Sequence, residues 1–443
     1  MITQIKLQTE EYKETELGLL PKEWDIVAIK DIAIKLKSGG TPRRNIEKYW
    51  KGNIPFVLIE DMTSCGLYLE HTKETITEEG LNNSSAWLVP PYSLLLSMYA
   101  TIGETAINKI PVATNQAILV IIPKENFNVV YGAYLLKYMA PRLQTLNIRS
   151  TQRNINKGIV ESFKIPLPPL PEQKSIAFVL STIQTAKEKT EQVIKATKEL
   201  KKSMMKHLFT YGPVSLEEAE KVKLKGTEIG EMPEEWEVVR LGDVLKILRN
   251  GTTKKQNKTG KGLPVSRIET ISTSIIDPIK IGYIDRLTNE EIEKYKLNEG
   301  DILFSHINSE PYLGNSAIYE NNPPLLIHGM NLLMLRVKQD IINPNFLNYL
   351  FNLYRRKGIF ISIASRAVNQ SSINQGKLKL LLIPLPPLPE QQKIASILSV
   401  IDEKIQAEEN KKKALEDLFK SMLHNLMTGR IRVKDLNFGV ENV

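Results

Sequence analysis

One nine-residue motif occurs twice in this chain and constrains the fold more than any other feature. Residues 165–173 and residues 383–391 both read IPLPPLPEQ, at an offset of 218 residues in a chain of 443. Chance does not place nine identical residues at close to half the chain length, so the motif indicates an internal duplication. We therefore expect two similar halves.

A long amphipathic stretch follows each copy of the motif. The prolines hold the chain extended, and a helix can begin at the last proline, where no amide donor is needed. Apolar residues then recur every three or four positions, which predicts two helices of about 40 residues, roughly 60 Å long. We expect their seams to pack together as an antiparallel coiled coil, because neither can stay in water. The predicted seam residues are Ile176, Leu180, Ile183, Val193, Leu200, Met204 and Leu208, with Ile394, Leu398, Ile401, Ile405, Leu415, Leu418, Met422 and Leu426.

The duplication also covers the parts outside the helices. A segment containing Trp24 recurs around Trp236, at an offset of 212 residues, and both tryptophans are expected to be core anchors. The alternation predicts globular part, long helix, globular part, long helix. The predicted segments are an N-terminal tail 1–14, a first domain 15–165, a helical region 166–212, a linker 213–226, a second domain 227–383, a second helical region 384–430 and a C-terminal tail 431–443.

Each globular part mixes short strands with helices, so the predicted fold class is α+β with small β-sheets and an approximate two-fold repeat. A short helix is expected before a glycine turn, over residues 31–37 and 243–249, and a longer one over 129–146 and 344–363. The predicted strands are 54–60, 87–89, 93–97 and 113–122 in the first half, and 263–268, 301–305, 325–327 and 332–337 in the second.

Composition sets broad bounds on the class of protein. The formal net charge is +9 with 25% charged residues of both signs, which weakly favours an anionic partner. Cys65 is the one cysteine, as expected for a reducing cytoplasm. The first residues do not read as a secretory signal, and no apolar run reaches the ~20 residues that span a bilayer.

Motifs for catalysis are not found in the sequence. There is no Walker-type phosphate loop and no Gly-x-Gly-x-x-Gly, and the five histidines show no zinc spacing. Asn322-Pro323-Pro324-Leu325 resembles an adenine methyltransferase loop but lacks the aromatic residue that stacks on a flipped base. The sequence therefore favours a binding protein, with no metal and no catalytic residue.

Several motifs together resemble the specificity subunit of type I restriction–modification systems. They are Pro233-Glu234-Glu235-Trp236 and its twin, Ser38-Gly39-Gly40-Thr41-Pro42, Ala113-Thr114-Asn115-Gln116-Ala117, both proline motifs, and Leu426-Met427-Thr428-Gly429-Arg430. The resemblance covers essentially the whole chain. The second half departs from the pattern, with Asn250-Gly251-Thr252-Thr253 and Gly329-Met330-Asn331 at the corresponding places.

The resemblance implies a non-catalytic subunit that directs other proteins to DNA. Each globular part would be a target recognition domain that reads one half of a split, asymmetric double-stranded target, and the helices would set the spacing. The implied partners are two methyltransferase subunits and restriction (translocase/endonuclease) subunits. No cofactor is expected in this chain, and S-adenosylmethionine is expected on the partner methyltransferase.

Within that framework, polar and basic side chains of the divergent loops are the candidate DNA contacts. Arginine suits guanine, asparagine and glutamine suit adenine, and lysine suits phosphate. The candidates are Lys37, Arg43, Arg44, Arg149, Thr151, Gln152, Arg153, Asn154, Lys254, Lys255, Asn257, Lys258, Arg267, Ser305, His306, Asn369 and Gln370. For any one of them, a solvated surface role is an equal alternative.

Two other classes of protein remain possible from the sequence. A DNA-binding or coiled-coil scaffold without a modification role would also use long helices, although a pure scaffold would not need two large, divergent globular parts. A chain fused to a methyltransferase would need a cofactor loop, which the sequence lacks.

Overall fold

The computed structural model describes residues 11–146, 155–366 and 370–433. The chain forms two compact units, Met1–Glu191 with Asn410–Val443, and Gln192–Glu409. Both boundaries fall inside the long helices. Each unit therefore holds one globular domain, the first part of the helix that follows it and the last part of the other helix.

Both copies of the proline motif form the same junction. Lys164–Leu167 is a strand that pairs antiparallel with Asp25–Ala28, and Leu382–Leu385 pairs in the same way with Glu237–Arg240. The prolines at the third strand positions, Pro166 and Pro384, are tolerated because each two-stranded pair leaves a free edge.

The glutamate and glutamine that close the motif explain why it is repeated. Trp24 is fully buried and donates from Nε1 to Glu172 Oε2 at 2.9 Å, and Trp236 donates to Glu390 Oε2 at 3.0 Å. Gln173 joins the same junction, since its Oε1 accepts from the backbone amide of Asn128 at 2.9 Å. In the second unit Gln391 Oε1 accepts from Asn343 N at 2.8 Å. Each motif thus fixes its long helix to the buried tryptophan of its own domain. It also fixes that helix to the start of a second helix, Val129–Thr145 in the first domain and Pro344–Arg356 in the second.

The first long helix is Leu170–Tyr211 and the second is Leu388–Met427. In the second unit Lys198 pairs with Glu409 and Lys201 with Asp402, both at 2.7 Å. The residue number rises on one helix while it falls on the other, so the helices run antiparallel there, as the sequence predicts.

Burial along the helices corrects part of the predicted seam. Seven predicted residues are buried and five are half-buried, but Val193, Leu200 and Leu418 are 39%, 51% and 46% exposed. The buried side is one residue further on, at Ile194 and Met205. The buried seam residues are Ile176, Leu180, Leu208, Ile394, Leu398, Ile405 and Leu426, and the half-buried ones are Ile183, Met204, Ile401, Leu415 and Met422.

The reason for the shift is a lysine at a seam position. Lys201 is only 18% exposed, because its ammonium pairs with Asp402 and lies 5.2 Å from the centre of the Tyr349 ring. A lysine stem can cover apolar surface while its charge stays paired. The apolar pattern therefore predicts Leu200 as the seam residue, although the neighbouring Lys201 takes the buried position.

A five-stranded sheet forms the centre of the first domain. Its order is Ala33–Ser38, Ile118–Pro123, Leu94–Ser97, Thr105–Asn108 and Tyr68–Leu69, and a second sheet has the order Ala113–Thr114, Trp50–Val57, Glu74–Ile76. The hairpin Tyr12–Thr15 with Gly18–Pro21 precedes them. The helices are Ile29–Ile32, Ile59–Ser64, Glu78–Asn82, Val129–Thr145 and Lys157–Ser162, with a 3-10 turn at Glu47–Tyr49.

The second domain repeats this plan with a four-stranded central sheet. Its central sheet has the order Leu245–Asn250, Leu333–Val337, Ile302–Phe304, Ser316–Ile318. The other strands are Leu224–Thr227, Gly230–Pro233, Leu263–Val265, Gly282–Ile284, Ile307–Asn308, Ser365–Arg366 and Ser371–Ser372. The helices are Leu216–Ala219, Asn289–Tyr295, Pro344–Arg356, Ile359–Ile363 and Gln375–Lys379, with 3-10 turns at Leu241–Val244, Ile268–Ile271 and Glu310–Tyr312.

Two predicted short helices are wrong. Residues 33–38 and 245–250 form edge strands of the central sheets, and only one helical turn precedes each. Apolar and basic residues alternate along Ala33–Ser38, which is the period of a strand, and lysines are common on exposed sheet edges. The predicted helix over 344–363 is also interrupted, at Gly358 with φ of 73°.

The described residues of both predicted tails belong to the fold of the first unit. Tyr12–Thr15 is a strand, and at the other end of the described chain Val433 is only 3% exposed. Arg432 forms two hydrogen bonds to Glu172, at 2.7 and 2.9 Å, and one to Glu23 at 2.7 Å. The chain after the second long helix therefore packs on the tryptophan junction of the first domain.

Candidate nucleic-acid interface

The glycine turn of the first domain lies at one end of the central sheet. Gly40 N donates to Thr114 O at 2.9 Å, and a Cβ on Gly39 would lie 1.8 Å from the same oxygen. No larger residue fits at position 39 unless the backbone moves. Beyond the turn, Thr41 Oγ1 donates to Gln116 Oε1 at 2.7 Å, so the turn and the segment beside it form one surface.

The divergent turn of the second domain makes the same contact. Thr252 N donates to His328 O at 2.9 Å, and a Cβ on Gly251 would lie 2.1 Å from Gly329 O. The two halves therefore keep one backbone arrangement while the side chains on it differ.

The polar loop before each proline motif reaches the same end of the sheet. Ile155 N donates to Met98 O at 3.0 Å, and Ile373 N donates to His306 O at 2.8 Å. Met98 and His306 follow the central strands of their sheets. The predicted contacts Arg149, Thr151, Gln152, Arg153, Asn154 and Asn369 lie outside the described residues.

The basic residues of the first domain differ in how far they are engaged. Lys37 is exposed on the edge strand, with its ammonium 5.4 Å from the centre of the Trp87 ring. Arg44 stacks 4.0 Å from the Trp50 ring centre and pairs with Glu74 at 2.7 Å, which leaves it rigid and partly neutralised. Arg43 is exposed.

In the second domain the basic residues surround a cleft of about 520 Å³, lined among others by Lys254, Lys255 and Arg267. Lys254 pairs with Glu291 at 3.1 Å, whereas Lys255 and Lys258 are exposed. The structure thus brings the predicted contacts Lys254, Lys255 and Arg267 together at one cleft.

Asn257 and Gln370 occupy different settings. The Asn257 amide donates to Asp285 Oδ1 at 2.7 Å, and its Oδ1 accepts from Thr259 N at 2.9 Å. Its hydrogen-bonding groups therefore hold a local turn rather than point outward. Gln370 is exposed, next to the strand Ser371–Ser372.

Ser305 and His306 are placed beneath the surface rather than on it. Ser305 is 1% exposed, and its Oγ accepts from Asn308 Nδ2 at 3.1 Å. His306 is 8% exposed, and burial lowers its pKa to about 4. Ser305 exchanges backbone hydrogen bonds with Gly314 and Asn315, and His306 O accepts from Ile373 N, so both residues hold neighbouring segments of the domain together.

A second buried histidine lies close to His306. His328 Nε2 donates to Leu332 O at 3.1 Å, and burial lowers the pKa of His328 to about 3. Within the described part of the chain, Nδ1 of either ring has no protein hydrogen-bond partner. Both rings are therefore neutral at pH 7, and they add no charge to the interface.

Sequence reasoning missed several residues of this surface. Gln116 and Asn331 were visible only as parts of motifs, and Gln256 lines the second cleft without any motif to mark it. Groups of three or more acidic, histidine or cysteine residues that could hold a metal are not found among residues 11–146, 155–366 and 370–433. Over the same residues, no helix combines the length and apolar character needed to cross a bilayer.

Two long segments, residues 21–199 and 233–417, match the family model of the type I restriction modification DNA specificity domain. The chain belongs to this family. The two matched segments correspond to the two halves of the duplication, each with its domain and most of a long helix. A specificity subunit of this family recognises DNA sequence. The surfaces at the sheet ends are therefore candidates for that recognition.

Individual specificity subunits align over very different lengths. The type I restriction enzyme MjaIX specificity subunit of Methanocaldococcus jannaschii is 29% identical over 451 residues, covering 98% of this chain and all of that protein. The putative MjaX specificity subunit of the same organism is 54% identical over 204 residues, which are 46% of this chain and 48% of that protein. That match spans about half of the MjaX subunit.

Solved structures of the family share the fold. The S subunit from M. genitalium superposes with a TM-score of 0.58 at 15% identity, over 91% of this chain and 96% of that one. A chain from a study of type I system assembly gives 0.52 at 19% identity, over 93% and 99%. The α+β class with two long helices is confirmed by these likenesses.

Proposed function

We propose that this chain is the non-catalytic subunit that selects the DNA target of a type I restriction–modification complex. Each globular domain reads one half of a bipartite target. The chain directs methyltransferase subunits, which carry S-adenosylmethionine, to that site, and restriction subunits join the same complex. Family membership supports the DNA-recognition part of this proposal, and the relatives' description as subunits of type I restriction enzymes supports a restriction–modification complex.

The observation that carries the proposal is one backbone arrangement with two chemistries. In both domains a glycine turn, the segment beside it and the loop before the proline motif meet at one end of the central sheet. The first domain presents Arg44 stacked on Trp50, whereas the second presents Arg267 in a cleft. Different side chains on the same scaffold would read different bases, so the target should be asymmetric.

Charge supports DNA as the ligand. Exposed lysines at both sheet ends can neutralise phosphates, which positions a protein on DNA without selecting a sequence. The arginines are the groups suited to base edges, because their planar fork matches two acceptors at once. We therefore expect substitution of the lysines to weaken binding to all DNA sequences alike, and substitution of the arginines to change which sequence is recognised.

The test is a methylome. The chain is expressed with its neighbouring methyltransferase subunit in a host without modification, and methylated adenines are mapped genome-wide. We expect a split, asymmetric motif. Replacing residues 15–164 with the corresponding domain of another specificity subunit should change only one half of that motif.

Two controls complete the design. The methyltransferase alone should give no motif, and a chain carrying the exchange in residues 227–382 should change the other half. A stable complex that methylates nothing would contradict the modification role and leave a DNA-binding or coiled-coil scaffold.

A further inference from the structure

The cleft of the second domain holds one arginine in a fixed orientation. Arg267 Nη1 donates to Gln256 Oε1 at 3.0 Å, and its Nε lies 3.3 Å from Glu269 Oε2. The side chain is 26% exposed, so part of the guanidinium still faces the cleft. Two contacts on different nitrogens fix the plane of the fork, which reduces the entropy lost when it binds a ligand.

Two glycines make room for this pair. A Cβ on Gly282 would lie 3.0 Å from Arg267 Cδ and 3.1 Å from Gln256 Oε1. A Cβ on Gly329 would lie 2.9 Å from Gln256 Nε2. Side chains at these positions would have to displace the glutamine or the arginine, and one at position 329 would also lie 2.0 Å from the backbone oxygen of Ser266.

The first domain has no such arginine at the same place. In the second domain Arg267 N donates to Thr270 Oγ1 at 2.9 Å at the start of a helical turn. In the first, Leu58 N donates to Asp61 Oδ2 at 2.8 Å in the same arrangement. Leu58 is therefore the structural counterpart of Arg267, and it packs against an apolar cluster.

The surroundings favour a base edge over a phosphate. Glu269 next to the guanidinium repels an anionic phosphate but not the neutral edge of a base pair. The exposed Lys255 on the rim is better placed for phosphate, because a flexible ammonium needs no fixed geometry. In the major groove, guanine offers O6 and N7 as two acceptors that match an arginine fork.

We propose that Arg267, held by Gln256 and Glu269, reads a guanine in the half-target of the second domain. This rests on the proposed function, since it assigns one specificity-determining residue within it. It also predicts a difference between the halves, because Leu58 cannot make the corresponding contact in the first.

The experiment compares methylomes of complexes carrying Arg267→Lys, Arg267→Ala or the control Arg286→Ala. Lysine keeps the charge and loses the fork, so it separates base reading from phosphate contact. For Arg267→Lys we expect the preference for one guanine in the second half-target to fall about 10- to 100-fold. All other positions, including the first half-target, should stay unchanged. Arg286 is exposed in the same domain and outside the cleft, and its replacement should leave the motif intact.

Three outcomes would overturn the inference. They are an unaltered guanine preference in Arg267→Lys, methylation that weakens evenly at all sequences without relaxing one position, and a wild-type second half-target without a G·C pair. Gln256→Ala provides a further readout, since loss of the arginine's partner should relax the same position more weakly. If the wild-type complex gives no motif, the proposed function fails instead, and the two failures are thus distinguishable.

Discussion

At the residue scale, the glutamate of each proline motif anchors a buried tryptophan. Glu172 and Glu390 each accept a hydrogen bond from a buried tryptophan of their own domain. The first junction has an additional cation, Arg432, which binds both oxygens of Glu172 and also Glu23. A bidentate arginine–carboxylate pair is stronger than a single contact and more specific in geometry.

We predict that Arg432→Ala destabilises the first unit. Glu172 is 1% exposed, and removing one partner of a buried ion pair costs about 3 kcal/mol because the remaining charge is left uncompensated. The pKa of Arg432 is raised by its hydrogen bonds to Glu172, so arginine stays charged and the loss is the same at any pH near neutral. Hydrogen exchange should rise in peptides that contain Trp24 and Glu172.

The matched control is Arg430→Ala, which removes an exposed arginine two residues earlier. It should leave exchange in the first unit unchanged. Equal protection in Arg432→Ala and in the wild type would show that the contact contributes nothing to the stability of the first unit.

Some residue roles could be predicted from the sequence and others could not, and the reasons are physical. Repetition revealed Trp24, Trp236 and both motifs, because these residues perform the same task twice. Arg432 was assigned to a tail, since its counterpart by the motif offset is Val214 and repetition could not mark it. Asn257 was selected for its amide, but the amide is used within a local turn that residue type alone does not reveal.

At the element scale, a prediction was confirmed where the spacing of apolar residues distinguished a helix from a strand over enough residues. The long helices were clear because their apolar spacing persists over 42 and 40 residues. Residues 33–38 were misjudged because six residues offer too little pattern to separate a helix from an edge strand. The seam was displaced where Lys201 takes a buried position, because its partners Asp402 and Tyr349 come from other elements.

The second long helix offers a direct test of its buried side. Leu398 is fully buried in the core of the second unit, whereas Val400, two residues later, is 61% exposed. We predict that Leu398→Ala lowers the unfolding free energy of that unit by about 3 kcal/mol, since the lost burial adds to the cost of a cavity. Val400→Ala should change it by less than about 0.5 kcal/mol. Urea dependence of hydrogen exchange in peptides from the second unit measures both, and similar values would contradict the assigned orientation.

At the scale of the whole molecule, the duplication preserved a scaffold and let two surfaces diverge. The backbone contacts of the glycine turns recur although Gly40 and Thr252 differ. Because the scaffold is the same in both halves, its outline could be predicted from the repeated sequence. The contact residues could not, because a surface that must read a different sequence has no reason to repeat. Comparison of the halves locates such a surface only by its differences.

One of these differences predicts unequal acid stability. His306 and His328 are buried in the second unit, and burial lowers their pKa values to about 4 and about 3. The first domain has Met98 at the position of His306. An unfolded histidine titrates near 6.5, so the unfolded state binds more protons below that pH, and the second unit loses stability as pH falls from about 6.5 toward 4.

Hydrogen-exchange protection, corrected for intrinsic rates, should therefore fall between pH 7 and pH 4.5 more steeply in the second unit than in the first. His306→Met places the first domain's residue in the second and should move the acid transition of the second unit to lower pH. His71→Met, which replaces an exposed histidine of the first unit, should have no such effect. An acid transition that His306→Met leaves in place would show that protonation of other groups unfolds the second unit, since the removed ring can no longer take up a proton.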